Sequence, residues 1–351
     1  MVQKKIIMSL REEILALNAQ RSSVFCTPAA RDAQVLYSSK HPTKILVFKC
    51  MDGRINLPLI TGVPMGKLHP FRNIGGKFVL GDPYLGRLIL DAKESALRVG
   101  HLTLALCTYH FSQGNTLRGC AGHAYDTDAA RRGALALKSE FEEVFGKENH
   151  TISAIIVGIE TDMDTLVFCN REGKELSIIN YLSASDSDLQ VALYAHYPEV
   201  PEEILYDLLP LAIGNRDHVA LIQTQGRPVQ ELAHNENIIA VGRGFDWLHL
   251  VNRALIIGPY GHTDSTWREA VSVAGNIVLE NFKNNAGLKE AGALLLISAP
   301  YTNTGERGLA IAKSKYFEQV ARQALNPIAN ELSLNTLVGI TNMETMKYHP
   351  L

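Results

Sequence analysis

The sequence predicts an α/β fold in two tandem halves, each around a largely parallel sheet. Short apolar runs at 45–48, 102–107 and 152–159 alternate with helix-patterned stretches at 84–99 and 129–145, the order that βαβ units require. A similar order recurs later, with runs at 219–222, 254–257, 293–298 and 334–340 and helices over 267–282 and 306–329, which reads as an internal duplication of long period. The length, 351 residues with 46% apolar and 20% charged side chains, is enough for two cores of ordinary size.

Composition removes several function classes. A net charge of −2 suits no polyanionic partner, so nucleic acid is not expected. No apolar run approaches the length of a membrane span. Residues 1–10 carry two lysines and a short apolar patch, followed at once by Arg11, Glu12 and Glu13, which makes a poor signal peptide. The five cysteines are odd in number and widely spaced, which favours reduced thiols in the cytoplasm over a disulfide framework.

Taken in order, Ile14, Leu15 and Leu17 have helical spacing and predict a helix over 8–19. A polar connecting segment, 21–43, holds Cys26. The run 45–48 is β-branched and apolar, a short buried strand. A loop rich in Gly and Pro then ends in Phe71-Arg72-Asn73-Ile74-Gly75-Gly76, where adjacent glycines imply close backbone approach or positive φ. The helix over 84–99 stops at Gly100, placed as a C-terminal cap. The strand at 102–107 has His110 just beyond its end, and the polar loop 112–119 leads to Cys120-Ala121-Gly122-His123. Asp126 or Thr127 caps the helix over 129–145. Strands at 152–159 and 166–169 are joined by Thr161-Asp162-Met163-Asp164, read as a solvated hairpin turn. Residues 175–215 are largely helical, with a break at Pro198 and Pro201. Reading 219–222 as a strand sets Gln223 and Gln225 where Cys50 and Asp52 stand in the first half. Gly242-Arg243-Gly244 is a turn, too short for a nucleotide fingerprint. His262, in Tyr260-Gly261-His262, is read as an inert relic.

The chemistry gathers at Cys50, Asp52 and Arg54. Residues past the carboxyl end of a strand in an open α/β sheet lie where such sheets bind ligands. His110 and Cys120 follow a second strand, and neighbouring parallel strand ends converge, so two thiolates and one imidazole can meet at one point. That donor set suits Zn2+, and three protein ligands leave the fourth tetrahedral position free for water, as catalytic sites do. Asp52 beside the metal would accept the proton of zinc-bound hydroxide and aim its lone pair, with Arg54 keeping it ionised. The same carboxylate can instead swing onto the metal and close the site. For Cys50 the plain alternative is a small hydrophobe at a strand end, for His110 a hydrogen-bonded loop histidine. His123 is an alternative ligand to Cys120. Cys107 and Cys169 lie in apolar runs and read as core.

The motif Cys50-Met51-Asp52-Gly53-Arg54, with His110 and Cys120 downstream, resembles the β-class carbonic anhydrases, and Arg72-Asn73-Ile74-Gly75-Gly76 is similar to a segment they share. Nine residues separate His110 from Cys120, more than is usual in that class. The longer gap, with Tyr109-His110-Phe111-Ser112, Gly119-Cys120-Ala121-Gly122-His123 and Val157-Gly158-Ile159-Glu160-Thr161-Asp162, resembles the carboxysome shell carbonic anhydrases, a divergent subclass with a degenerate second copy. The resemblance spans roughly residues 40–345. It implies a β-carbonic-anhydrase-like pair of domains: an N-terminal helical segment at 1–40, a zinc-binding catalytic domain at 41–175, a helical linker at 176–215 and a degenerate copy at 216–351 without metal ligands.

The same resemblance implies Cys50, His110 and Cys120 as zinc ligands and Asp52 with Arg54 as the catalytic dyad. The implied reaction is reversible hydration of carbon dioxide to bicarbonate by a zinc-bound hydroxide, from a water whose pKa falls to about 7 in carbonic anhydrase itself. His123 is a candidate proton shuttle. Carbon disulfide or carbonyl sulfide is the alternative substrate, and a non-catalytic zinc-binding interaction module is the alternative of a different class. Small molecules are the expected partners, within a homo-oligomer. The forty or so residues before the first strand cannot replace the long region through which the subclass engages Rubisco and the shell. That sets Rubisco association in doubt and makes the cytoplasm the expected location, with the carboxysome as the alternative.

Overall fold

Aliphatic runs buried on both faces form the central strands of two separate sheets, as parallel strands covered by helices require. A computed structural model describes residues 9–146, 151–228, 232, 234–248, 250–260 and 264–351; His262 lies outside the described residues. The chain divides into a larger unit, Asp32–His234 with Tyr260–Thr266, and a smaller unit, Met1–Arg31 with Asn235–Pro259 and Trp267–Leu351.

In the larger unit the strands are β1 (Lys44–Cys50), β2 (Leu68–Asn73), β3 (Thr103–Phe111), β4 (Ile152–Glu160), β5 (Thr165–Cys169) and β6 (Glu175–Ser177), in the order β2-β1-β3-β4-β5-β6. The first four of these run parallel, and β5 and β6 are antiparallel additions. Phe48 on β1 stacks on Phe71 of β2 at 4.8 Å between ring centroids and meets Phe141 edge-on at 5.1 Å, which anchors one face of the sheet. β2 contains Pro70, tolerated because β2 is an edge strand, where a missing N–H costs no central ladder bond. That proline is also why the segment reads as loop from sequence.

Among the described residues the helices begin with α1 (Leu10–Phe25), started by a capping box between Ser9 and Glu12. α2 (Pro28–Lys40) follows, where the sequence reading expected a connecting segment; none of its residues is fully buried, so no apolar stripe marks it. Next come α3 (Leu57–Thr61), α4 (Pro83–Leu97), α5 (Thr127–Phe145), α6 (Asp186–His196) and α7 (Glu202–Gln225). Asp82 caps α4 and Asp126 caps α5, each accepting a backbone N–H.

The expected strand at 219–222 is corrected: these residues lie inside α7. Ile204, Leu205, Leu208, Leu211, Ala212 and Val219 are buried while Leu221 is exposed, the spacing of one helical face. Four apolar residues in a row do not separate a strand from a buried helix turn. Gln223 and Gln225 are therefore helical and are not the counterparts of Cys50 and Asp52. The boundary expected between 215 and 216 falls within the same helix, and residues before Asp32 group with the smaller unit instead of forming a segment of their own.

The smaller unit holds β7 (Ile238–Gly242), β8 (Ala254–Ile257), β9 (Leu294–Tyr301), β10 (Asn335–Asn342) and β11 (Lys347–Pro350), with α8 (Asp264–Asn284) from Trp267 onward, α9 (Ala286–Ala291) and α10 (Arg307–Leu325). Its strand order, β8-β7-β9-β10-β11, repeats β2-β1-β3-β4-β5, including the antiparallel last strand. β7 is thus the topological counterpart of β1, and Gly242-Arg243-Gly244 stands where Cys50-Met51-Asp52 stands. Neither β7, β9 nor the residues 243–248 contain a cysteine or histidine.

Candidate metal centre

Alternation along β3 sends Cys107 and Tyr109 to one face and Thr108 and His110 to the other. His110 is inside the strand, one residue before its end, and not beyond it as expected. Thr108 Oγ1 donates to the Phe48 carbonyl at 2.9 Å, which ties β3 to β1 just before Cys50. Cys50 closes β1, and the chain then turns: the Met51 N–H donates to the Asn73 carbonyl at 3.0 Å, and the buried Lys49 amine donates to the Ile55 carbonyl.

Cys120 arrives from the long loop. The N–H groups of His123 and Tyr125 donate to its carbonyl at 3.0 and 2.9 Å, with Ala124 and Tyr125 at positive φ. The tight 3-10 turn at Ala121–His123 packs on Gly75, left-handed at φ 62°, while Gly76, at φ 63°, sits against the Thr108 carbonyl and the Cys50 nitrogen. A Cβ on Gly122 would lie 2.5 Å from the Gly75 nitrogen, so only glycine allows this approach.

These elements bring Cys50, His110 and Cys120 together. All three are buried, and one ligand-type atom of each lies within 4.8 Å of the others. The two sulfurs are 3.9 Å apart. Two thiolates about 2.3 Å from a tetrahedral zinc would be separated by about 3.8 Å. Neither ring nitrogen of His110 has a hydrogen-bond partner, a costly state for a buried imidazole unless it ligates something. The donor set and these orphaned nitrogens fit zinc. The Cys120 thiol donating to it, and then the charge of the nearby His110 imidazole, hold Cys50 well below the ordinary thiol range against the opposing effect of burial. The Cys120 thiol, donating to Cys50 and buried, is pushed up in turn.

Asp52 and Arg54 form a bidentate pair beside them. Arg54 Nε donates to Oδ1 at 3.1 Å and Nη2 to Oδ2 at 2.6 Å, while the Arg54 backbone N–H reaches Oδ1 at 2.8 Å. Burial alone would raise the Asp52 carboxyl, but the charges of Arg54, His110 and His234 outweigh it and keep the group far below the usual carboxylate range. Asp52 Oδ2 is 3.9 Å from His110 Nε2. Both carboxylate oxygens are engaged by Arg54, so the dyad is paired and the carboxylate is turned to the guanidinium.

The nine-residue loop between His110 and Cys120 is not slack. Asp162 accepts from Ser112 Oγ at 2.8 Å and from the Gly114 N–H at 2.7 Å, and Arg118 Nη1 is 3.6 Å from it. Arg118 in turn gives its carbonyl to Arg54 Nη2 at 2.7 Å, so the loop holds the dyad. Asp164 is buried between Arg227 Nη1 at 2.8 Å and His218 Nε2 at 3.2 Å. The solvated-turn reading of Asp162 and Asp164 is therefore corrected: both are anchoring carboxylates, and the partners of Asp164 come from α7 and beyond, where local sequence gives no signal.

No protein-family model matches the chain. The chain is 24% identical over 203 residues to the carboxysome shell carbonic anhydrase of Halothiobacillus neapolitanus (strain ATCC 23641 / c2). This is a distant, carbonic-anhydrase-like relationship. The match covers 48% of this chain and 38% of that relative, so the chain spans well under half of the relative's length.

His123 does not replace Cys120 in the cluster. Its Nε2 donates to the Gly75 carbonyl at 2.9 Å, and burial, only partly offset by that bond, lowers its pKa. The ring lies against Gly75 and against α5, where a Cβ on Gly133 would lie 2.9 Å from its Cε1. The sequence reading missed the Arg118 carbonyl and His234. The first is a backbone group, and the second is brought near Asp52 only by the fold. No helix is long and apolar enough to cross a membrane among the described residues.

Proposed function

We propose that the chain is a zinc enzyme that reversibly hydrates carbon dioxide to bicarbonate. The observation that carries this reading is a buried two-sulfur, one-imidazole cluster beside an ion pair with its own carboxylate held ionised. Cys50 Sγ, Cys120 Sγ and one ring nitrogen of His110 would hold the metal. Zinc bound there would supply Lewis acidity, making water nucleophilic near neutral pH.

The protein's own groups then orient the reaction. Asp52 Oδ2 keeps a lone pair beyond the one given to Arg54 Nη2, and it accepts the remaining O–H of the attacking water oxygen, which aims that oxygen's lone pair at the carbon. Arg54 prevents Asp52 from keeping that proton, so the carboxylate stays an acceptor throughout. A carbon–oxygen bond forms, one carbon–oxygen double bond of carbon dioxide becomes the bicarbonate oxyanion, and the proton passes to solvent. His123, with Nε2 committed to Gly75, has a positioning role in this scheme. The repeated strand order supports the smaller unit as a duplicated copy without ligands. A site closed by Asp52 is disfavoured by the bidentate Arg54 contact.

Stopped-flow hydration of carbon dioxide by the zinc-loaded chain tests this. The expected result is a rate well above the uncatalysed one, reduced roughly a hundredfold in Asp52→Asn. A rate near the uncatalysed one across neutral and alkaline pH would overturn it.

A further inference from the structure

We propose that the larger unit carries a second ligand site, a cavity of about 370 Å3 at the amino-terminal ends of β1 and β2, which takes a small doubly charged oxyanion of the phosphate class. The site is independent of the carbon dioxide reading, because it lies at the opposite end of β1 from Cys50, about 20 Å along a strand of this length.

Among the described residues, the lysines of the cavity wall form no ion pair with a carboxylate. Lys44 Nζ donates to Ser95 Oγ at 2.7 Å and Lys67 Nζ to Ser38 Oγ at 2.5 Å, so each ammonium is steadied by a neutral hydroxyl. Burial lowers both amines from the ordinary lysine value, with no anion offsetting it. The carboxylate in the lining, Asp207, is already engaged: Oδ2 accepts the Thr43 N–H at 2.7 Å and Oδ1 faces His41 Nδ1 at 3.3 Å. His69 and His101 add imidazole edges to the same wall.

One further group lacks a partner. The Tyr37 hydroxyl lies in this lining, is buried, and makes no hydrogen bond among the described residues. A buried hydroxyl without a partner is unfavourable, and an oxyanion acceptor would satisfy it. Two ammonium groups and a hydroxyl donor match the charge and acceptor count of a dianion better than those of a monocarboxylate. The volume exceeds a single anion, taking about 30 Å3 per water as a scale. Val63, Leu68 and Val99 give the remainder an apolar side suited to a short organic group, so a free phosphate and a phosphate monoester share the recognition chemistry.

Isothermal titration and phosphorus NMR on the full chain, with inorganic phosphate and methyl phosphate as the two probes, test the site. The expected result is saturable one-to-one binding with Kd below about 1 mM. Lys44→Met and Lys67→Met should each weaken it roughly tenfold or more, and Tyr37→Phe by less. Tighter binding of the ester supports the site with the apolar wall in use; equal binding supports it as a free-anion site. Binding should persist in Cys50→Ser. If Lys44→Met fails to fold, Lys67→Met, whose amine is the more exposed, carries the test. Absence of saturable binding, unchanged affinity in the lysine variants, or loss of binding in Cys50→Ser alone would overturn the proposal.

Discussion

Removing the Arg54 side chain should destabilise the larger unit by an amount the geometry sets. Arg54→Met deletes two side-chain bonds to Asp52, at 3.1 and 2.6 Å, and the bond to the Arg118 carbonyl at 2.7 Å, and leaves a buried carboxylate. Breaking a buried pair from one side costs about 3–5 kcal/mol. The backbone N–H of residue 54 still reaches Asp52 Oδ1, which places the expected loss at the lower end, about 3 kcal/mol. Both tryptophans, Trp247 and Trp267, belong to the smaller unit, so their fluorescence reports on the wrong part of the chain. Hydrogen exchange of the β3 amides is the suitable assay, and the loss corresponds to a roughly hundredfold drop in protection. Adding Asp52→Asn removes the stranded charge, so the double variant should recover much of the protection lost in Arg54→Met. A loss under about 1 kcal/mol, the value of an exposed pair, or a double variant worse than the sum of the singles, would refute the reasoning.

Three further outcomes follow from the same geometry. Gly122→Ala drives a Cβ to 2.5 Å from the Gly75 backbone nitrogen, so it should cost about 1–3 kcal/mol or more and weaken metal uptake, read by melting and by zinc titration. Asp162→Asn should speed exchange in peptides covering 112–119, while β1 peptides keep their protection; unchanged loop exchange would count against the anchoring role. His123 has a lowered pKa in the folded chain, so the unfolded chain takes up its proton first as pH falls below about 6.5. Stability should therefore decline from that pH down to the folded value, and His123→Gln should flatten the decline in a pH series of denaturant midpoints.

Much of the centre was legible because its parts are local or periodic. Cys50, Asp52 and Arg54 sit within five residues at the end of a strongly apolar strand, and the fold brings His110 and Cys120 to them. What sequence could not supply was the shell that holds these groups. The Arg118 carbonyl is a backbone atom, His234 is remote in sequence, and Asp164 finds its partners on α7 and beyond. The missed elements share physical causes: β2 is interrupted by Pro70, α2 has no buried stripe, and 219–222 is too short a run to show its period. Misreading that last segment displaced the alignment of the halves, which the matching strand orders now set at β1 and β7.

The most direct measurement is X-ray absorption at the zinc edge on the full chain reconstituted with zinc. The expected spectrum has two sulfurs at about 2.3 Å and at least one nitrogen at about 2.0 Å, with one sulfur lost in Cys120→Ser. A shell of oxygen and nitrogen alone, or a chain that retains no zinc after reconstitution, would contradict a metal centre built from Cys50, His110 and Cys120.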